Sequence, residues 1–191
     1  MHGPRLDRDL LDGEVPEGDS VHLLAERLRR HLDGRTVVRS DLRVPRHATV
    51  DLAGRVVLEH ATHGKHLLTR LGGGLTLHTH LRMDGSWTVT GPGRRLPRRL
   101  WDDVRVVLEV DSGETAHGLL LPVVDVLPTR DEATVVGHLG PDPLRPDWDE
   151  AEAVRRLSAD PTVPVARALL DQTKVAGWGN LWATSCASCV A

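Results

Sequence analysis

From Thr36 to about Val126 the chain runs in short apolar stretches closed by glycines, and this feature restricts its fold more than any other. The stretches are TVV with VRS (36–40), RHATV (46–50), RVVLEHAT (55–62), HLLTRL (66–71), LTLHTHL (75–81), SWTVT (86–90), VRVVLEV (104–110) and GLLLPVVDVL (118–127). Gly54, Gly64, Gly72, Gly73, Gly74, Gly85, Gly91 and Gly113 punctuate them. Each stretch has strand length and is rich in Val, Leu and Thr. A parallel crossover needs a dozen or more residues, usually a helix, between its strands, and all of these gaps but 91–103 are too short for one. The reading is therefore a mainly antiparallel sandwich or barrel, not a βαβ fold.

Helical patterns flank this region. Asp19 to His31 places Val21, Leu24, Ala25 and Leu28 at helical spacing, with Asp19 or Ser20 as cap and Gly34 as terminator. After the strands comes a polar, Pro-rich connection, GHLGPDPLRPDWDE, with Pro141, Pro143 and Pro146. Asp149 then caps a helix through Leu157, and a second helix, VARALLDQTKV, starts from about Pro164, whose missing N–H costs nothing at a first turn. AGWGN makes a tight turn, and a third helix is expected after Asn180. The whole reads as a mixed α/β multidomain chain. The expected division is 1–15 as a disordered or wrongly included extension, 16–138 as a helix plus antiparallel β-sandwich, 139–148 as a linker, and 149–191 as a partial helical domain.

Composition narrows the function classes. With 40% hydrophobic residues over 191 positions, the chain can bury a real core and is not disordered. No apolar run is long enough for a spanning helix, and Met1 is followed by a charged stretch rather than a secretory signal. Two cysteines at the extreme end make no disulfide scaffold. A net charge of -3 argues against nucleic-acid binding by bulk electrostatics alone.

Three segments carry a resemblance. VPEGDSVH (15–22), HGKHLLTRL with LTLHTHLRMDGSW (63–87), and RALLDQTKVAGWGNLW (167–182) resemble, in order and spacing, the bacterial formamidopyrimidine/endonuclease VIII DNA glycosylases. The similarity runs from Pro16 to about Ala183 and is nearest the endonuclease VIII branch, through PEGD. It implies a bifunctional DNA glycosylase and abasic-site lyase of base excision repair. Pro16 would be the amine nucleophile attacking C1′ of a damaged nucleoside, Glu17 the acid/base, and Lys65 the hairpin lysine serving catalysis and phosphate. Met83 would enter the gap left by a flipped nucleotide, although on residue type alone it also reads as core. Lys174, Gly177, Gly179 and Asn180 would belong to a helix–two-turn–helix DNA-binding element, with backbone N–H groups facing phosphate. One departure is Ser20, where the family usually carries a glutamate. The implied partner is damaged double-stranded DNA, met by a monomer in the bacterial cytoplasm at the nucleoid, with no membrane.

The basic run with Arg94, Arg95, Arg98 and Arg99 reads either as solvated surface or as a strip along the DNA; from 91 to 105 five Arg against two Asp give +3. His78 and His80 share one strand face, and His60, His63 and His66 lie close in sequence, but no metal-ligand spacing emerges and no cofactor is expected. Zinc is expected only for the carboxy-terminal finger that relatives carry beyond this point. Cys186 and Cys189 form half of a four-cysteine site and do not match that finger.

Both ends conflict with the chemistry. A proline preceded by Val15 has an amide nitrogen and no nucleophilic lone pair, so the expectation is a GTG start at Val15 with residues 1–15 outside the active protein. These residues carry two Arg and four acidic residues, so the net charge moves from -3 to -1 without them. At the other end, relatives continue after GNLWA with a segment such as NELCFLRG. A codon string for it, with one adenine deleted, reads ATSCASCVA, the sequence of residues 183–191. A frameshift is thus expected, leaving a product without zinc finger and with weak or absent activity. The rival readings are a catalytically inactive, truncated DNA-binding remnant of the family and a β-sandwich binding module.

Overall fold

The computed structural model describes residues 17–180. The leader 1–15, Pro16, and the end that holds Cys186 and Cys189 lie outside the described residues.

The first helix, α1 (Gly18–Leu32), buries Val21, Leu24, Ala25, Leu28 and Leu32 along one face, as its apolar spacing requires. It begins one residue before the expected start, with Glu17 as the cap. Ser20 sits inside the first turn, where its Oγ accepts the Glu17 N–H at 2.9 Å. Gly34, just past the helix, takes φ +76°, a conformation that glycine adopts without strain.

Eight strands follow: β1 (Val37–Leu42), β2 (Val57–His63), β3 (His66–Leu71), β4 (Leu75–His80), β5 (Ser86–Thr90), β6 (Val104–Val110), β7 (Thr115–Leu119) and β8 (Val123–Pro128). They form two four-stranded antiparallel sheets, ordered β1-β6-β7-β5 and β2-β3-β4-β8. The main core combines α1 with the inner faces: Val21, Leu24 and Leu28 meet Val57, Leu67, Leu71 and Leu77 of one sheet and Trp87, Val106 and Leu108 of the other. Phe and Tyr are absent from the chain, so Leu and Val supply nearly all of this packing. Each fully buried side chain of this kind contributes about 1.5–3 kcal/mol relative to exposure.

Two strand expectations need correction. RHATV is no strand: Pro45–His47 forms a 3-10 turn, because Pro45 fixes φ and has no N–H to give a sheet ladder. GLLLPVVDVL is not one strand but the end of β7 and most of β8, which belong to different sheets. Leu120 breaks the run at φ +49°, and Pro122 cannot donate to a ladder. The start of β7, Thr115–His117, was hidden by its short, largely polar composition.

The second sheet is covered on its outer face too. Leu68 of β3 packs with Val136, Leu139 and Ala176. A short helix, α2 (Ala133–Val136), supplies the first of these. Helix α3 (Glu150–Leu157) is capped as expected, the Asp149 carboxylate accepting the Glu152 N–H at 2.9 Å. Helix α4 (Val165–Leu170) is shorter than its apolar run. Asp171 ends it by taking both the N–H and the hydroxyl of Thr173, at 3.0 and 2.6 Å, an arrangement that competes with helix continuation.

Candidate active site

The β2–β3 hairpin closes on two residues, with His63 paired to His66 and Gly64–Lys65 at the tip. Gly64 takes φ +56°, as the first position of such a turn demands. This conformation presents the next residue, Lys65, toward the start of α1. There the Glu17 carboxylate is almost completely buried. Both groups converge on the Gly179 backbone. A Cβ at Gly179 would overlap the Glu17 carboxylate and lie 2.7 Å from Lys65 Nζ. Burial pulls the Lys65 ammonium below its ordinary pKa, against the opposing pull of the Glu17 and Asp19 carboxylates.

Three backbone segments meet beside this group with no side chain between them. The Gly18 N–H donates to the Gly177 carbonyl at 2.8 Å. A Cβ on Gly18 would stand 2.9 Å from the Gly177 Cα, and one on Gly64 would stand 3.2 Å from the Gly177 nitrogen. Gly177 itself has φ +91°. Asp142, only 3% exposed, holds the same junction: its Oδ2 accepts the Gly64 N–H at 2.7 Å, and its Oδ1 accepts the Leu144 N–H at 2.9 Å. A cavity of about 180 Å³ opens here, lined by Gly18, Asp19, Asp142, Leu144 and Trp178 among others.

An array of imidazoles adjoins the hairpin. His66 Nδ1 and His78 Nε2 share a hydrogen bond at 2.8 Å, and the edge of one ring faces the other between His66 and His80, with centroids 4.6 Å apart. The exposed His138 ring lies 6.4 Å from His66. Burial, followed by the neighbouring histidines, drives His66 down to about 3. His80 falls to about 4, chiefly by burial, with His78, Arg82 and Lys65 adding to it. The His66 and His80 rings are therefore neutral at pH 7. Among the described residues, no group of three or more His, Cys, Asp or Glu is arranged to hold a metal ion.

The structure therefore brings Glu17, Lys65, Gly177 and Gly179 together, and it sets Met83, Lys174 and the four arginines elsewhere. Met83 is 63% exposed, on the loop joining β4 to β5, which rules out the core reading. That loop leaves β4 at His80, whose Nδ1 accepts the Arg82 N–H at 2.9 Å. Arg94, Arg95, Arg98 and Arg99 are exposed on a segment whose Leu96, Leu100 and Trp101 pack against Val104, Val107 and Leu119 of the first sheet. Lys174 lines a separate cleft with Val163, Arg167, Leu170 and Asp171. Asn180 is exposed at the end of the described chain, and Pro16 lies outside it. Sequence reasoning named Gly177 but passed over Asp142 and the packing of Gly18 and Gly64 against Gly177. Asp142 sits between two prolines in a stretch that reads as linker, and only its buried contacts distinguish it.

Comparison with known proteins bears on this arrangement. Residues 15–119 match the family described as the formamidopyrimidine-DNA glycosylase N-terminal domain. A probable endonuclease 8 2 of Streptomyces coelicolor is 54% identical over 168 residues, covering 88% of this chain and 60% of that protein. A DNA-(apurinic or apyrimidinic site) lyase of Mycolicibacterium smegmatis is 45% identical over 168 residues, covering 88% and 64%. The complex between Lactococcus lactis Fpg and an abasic site containing DNA shares the fold, with a TM-score of 0.68 at 21% identity, over 87% of this chain and 64% of that one. The chain thus spans less than two thirds of the length of these relatives.

Proposed function

Since the chain belongs to the formamidopyrimidine-DNA glycosylase and endonuclease VIII family, we propose that it acts on damaged double-stranded DNA as a glycosylase and abasic-site lyase. In this reading the Pro16 amine, free only when Pro16 is the first residue, attacks C1′ of the lesion. The C1′–base bond breaks and the base leaves with a proton; the C1′–O4′ bond then opens, O4′ takes the proton lost by the proline nitrogen, and an iminium links Pro16 to the opened sugar. Loss of the C2′ proton then expels the 3′ phosphate and breaks the strand. Glu17 moves these protons, and Lys65 assists at the sugar or its phosphate. Asn180, beside Gly179, faces the DNA backbone, whereas Gly177, whose N–H donates to Gln172 Oε1 at 3.0 Å and whose carbonyl accepts the Gly18 N–H, holds the turn from within. Met83 fills the space of the extruded nucleotide, while Lys174 and the Arg94–Arg99 run add phosphate contacts.

The observation that carries this reading is the convergence of Glu17 and Lys65 on Gly179, where any side chain would displace the Glu17 carboxylate and the Lys65 amine. A buried acid beside a lysine of lowered pKa suits proton transfer around an iminium. Among the described residues no helix is long and apolar enough to cross a membrane.

Borohydride trapping on duplexes bearing an abasic site or an oxidised pyrimidine tests the proposal. It is run on the chain from Met1 and on one cut to begin at Pro16. The expected result is a weak covalent adduct, formed only by the second. Salt-dependent binding of damaged duplex by both forms without trapping by either would favour the inactive, DNA-binding reading. Neither binding nor trapping would overturn the assignment.

A further inference from the structure

The group that fixes Lys65 is not on its own hairpin. Asp142 lies far along the chain, yet its carboxylate takes the N–H of Gly64, the residue immediately before Lys65. Its second oxygen is committed to the Leu144 N–H, which closes the turn that carries Asp142. The neighbours reinforce both sides of this tether. A His63 ring nitrogen meets the Gly140 carbonyl at 3.0 Å, and the Ala176 N–H donates to the Pro141 carbonyl at 2.9 Å. Residues 140–142 thus join the hairpin tip to the 176–177 segment, which in turn receives Gly18 of α1.

We propose that Asp142 is a positioning residue: its buried carboxylate locks the Gly64–Lys65 turn against the start of α1, and so sets the placement of the Lys65 amine relative to Glu17. This rests on reading Lys65 as part of the chemistry. A carboxylate is required because both oxygens accept backbone N–H groups. An amide would turn its own NH₂ toward one of them, leaving a buried donor without an acceptor. A turn released in this way can shift by about 1 Å, which costs on the order of 100-fold in a reaction that depends on placement.

The test has two arms. On the full chain, the pH dependence of Lys65 labelling by an amine-reactive reagent is read by mass spectrometry for wild type and Asp142→Asn, each shown to be folded by near-UV dichroism. Loosening the turn hydrates Lys65, so its labelling midpoint is expected to rise toward that of an ordinary lysine. An unchanged midpoint in a folded variant overturns the proposal. In the second arm, chains beginning at Pro16 are compared for single-turnover trapping rate and for affinity toward an uncleavable tetrahydrofuran duplex. The rate should drop by about 10- to 100-fold, with affinity little changed. Equal loss of both, or of neither, counts against positioning. If the wild type itself does not trap, the functional reading fails, and the labelling arm still decides the role of Asp142. If Asp142→Asn does not fold, His63→Phe removes the companion tether to Gly140 and should move the labelling midpoint in the same direction by less.

Discussion

Two neighbouring loops of this molecule are built in opposite ways. The Gly64–Lys65 tip is fixed from three sides: by Asp142, by Gly177 and by the Glu17 end of α1. The Arg82–Met83 loop stands open, with Met83 63% exposed and a backbone hydrogen bond back to the His80 ring. The array of His66, His78 and His80 lies between them. Under the proposed function the contrast separates two tasks. Groups that exchange protons with a reacting carbon need fixed geometry, whereas a side chain that fills a gap of variable shape needs freedom and an unbranched, adaptable stem.

The sharpest way to break the fixed side is Gly179→Ala. The new methyl group would overlap the Glu17 carboxylate and sit within 2.7 Å of Lys65 Nζ, so one or both must move. Trapping by the form that begins at Pro16 should fall by on the order of 100-fold or more. Overall melting should change by only about 1–3 kcal/mol, the usual cost of overpacking. A variant that traps at the wild-type rate would show that Glu17 and Lys65 can separate without consequence, and the contrast between the loops would lose its basis.

Acid probes the region between the loops. His66 at about 3 and His80 at about 4 both lie below the ordinary histidine value of 6.5. The unfolded chain therefore binds more protons than the folded one between pH 6.5 and 4, and folding stability must fall as pH falls through that window. Each group contributes a slope of up to about 1.4 kcal/mol per pH unit. Urea midpoints at pH 7, 6 and 5 should decline, and His66→Phe should flatten the decline while keeping the ring. A midpoint that holds steady from pH 7 to 5 would mean that the array protonates freely in the fold.

Much of this architecture was legible in advance, for physical reasons that differ by element. The face of α1 is written in the spacing of Val21, Leu24 and Leu28, and the hairpins are written in glycines that only a turn requires. What escaped was decided by backbone geometry. Leu120 takes a conformation that its side chain disfavours, which splits an unbroken apolar run between two sheets. Asp142 looks like a solvated residue of a Pro-rich connection until its two buried acceptor bonds are seen. Glu17 and Lys65, 48 positions apart in sequence, were linked by resemblance alone; nothing in their own spacing brings them together.

The open loop gives the smallest effect and the cleanest separation of roles. Met83 buries little in the free protein, so Met83→Ala should alter stability by no more than about 0.5 kcal/mol, the range of an ordinary surface substitution. If the side chain fills the space left by an extruded nucleotide, its removal should still slow base excision from duplex DNA several-fold. A substrate that already contains an abasic site has no base to hold out, so there the variant should act almost normally. Single-turnover rates on the two substrates give the ratio directly. Equal slowing on both would recast Met83 as a general DNA contact, and no slowing on either would leave the loop without the adaptable role that distinguishes it from the Lys65 turn.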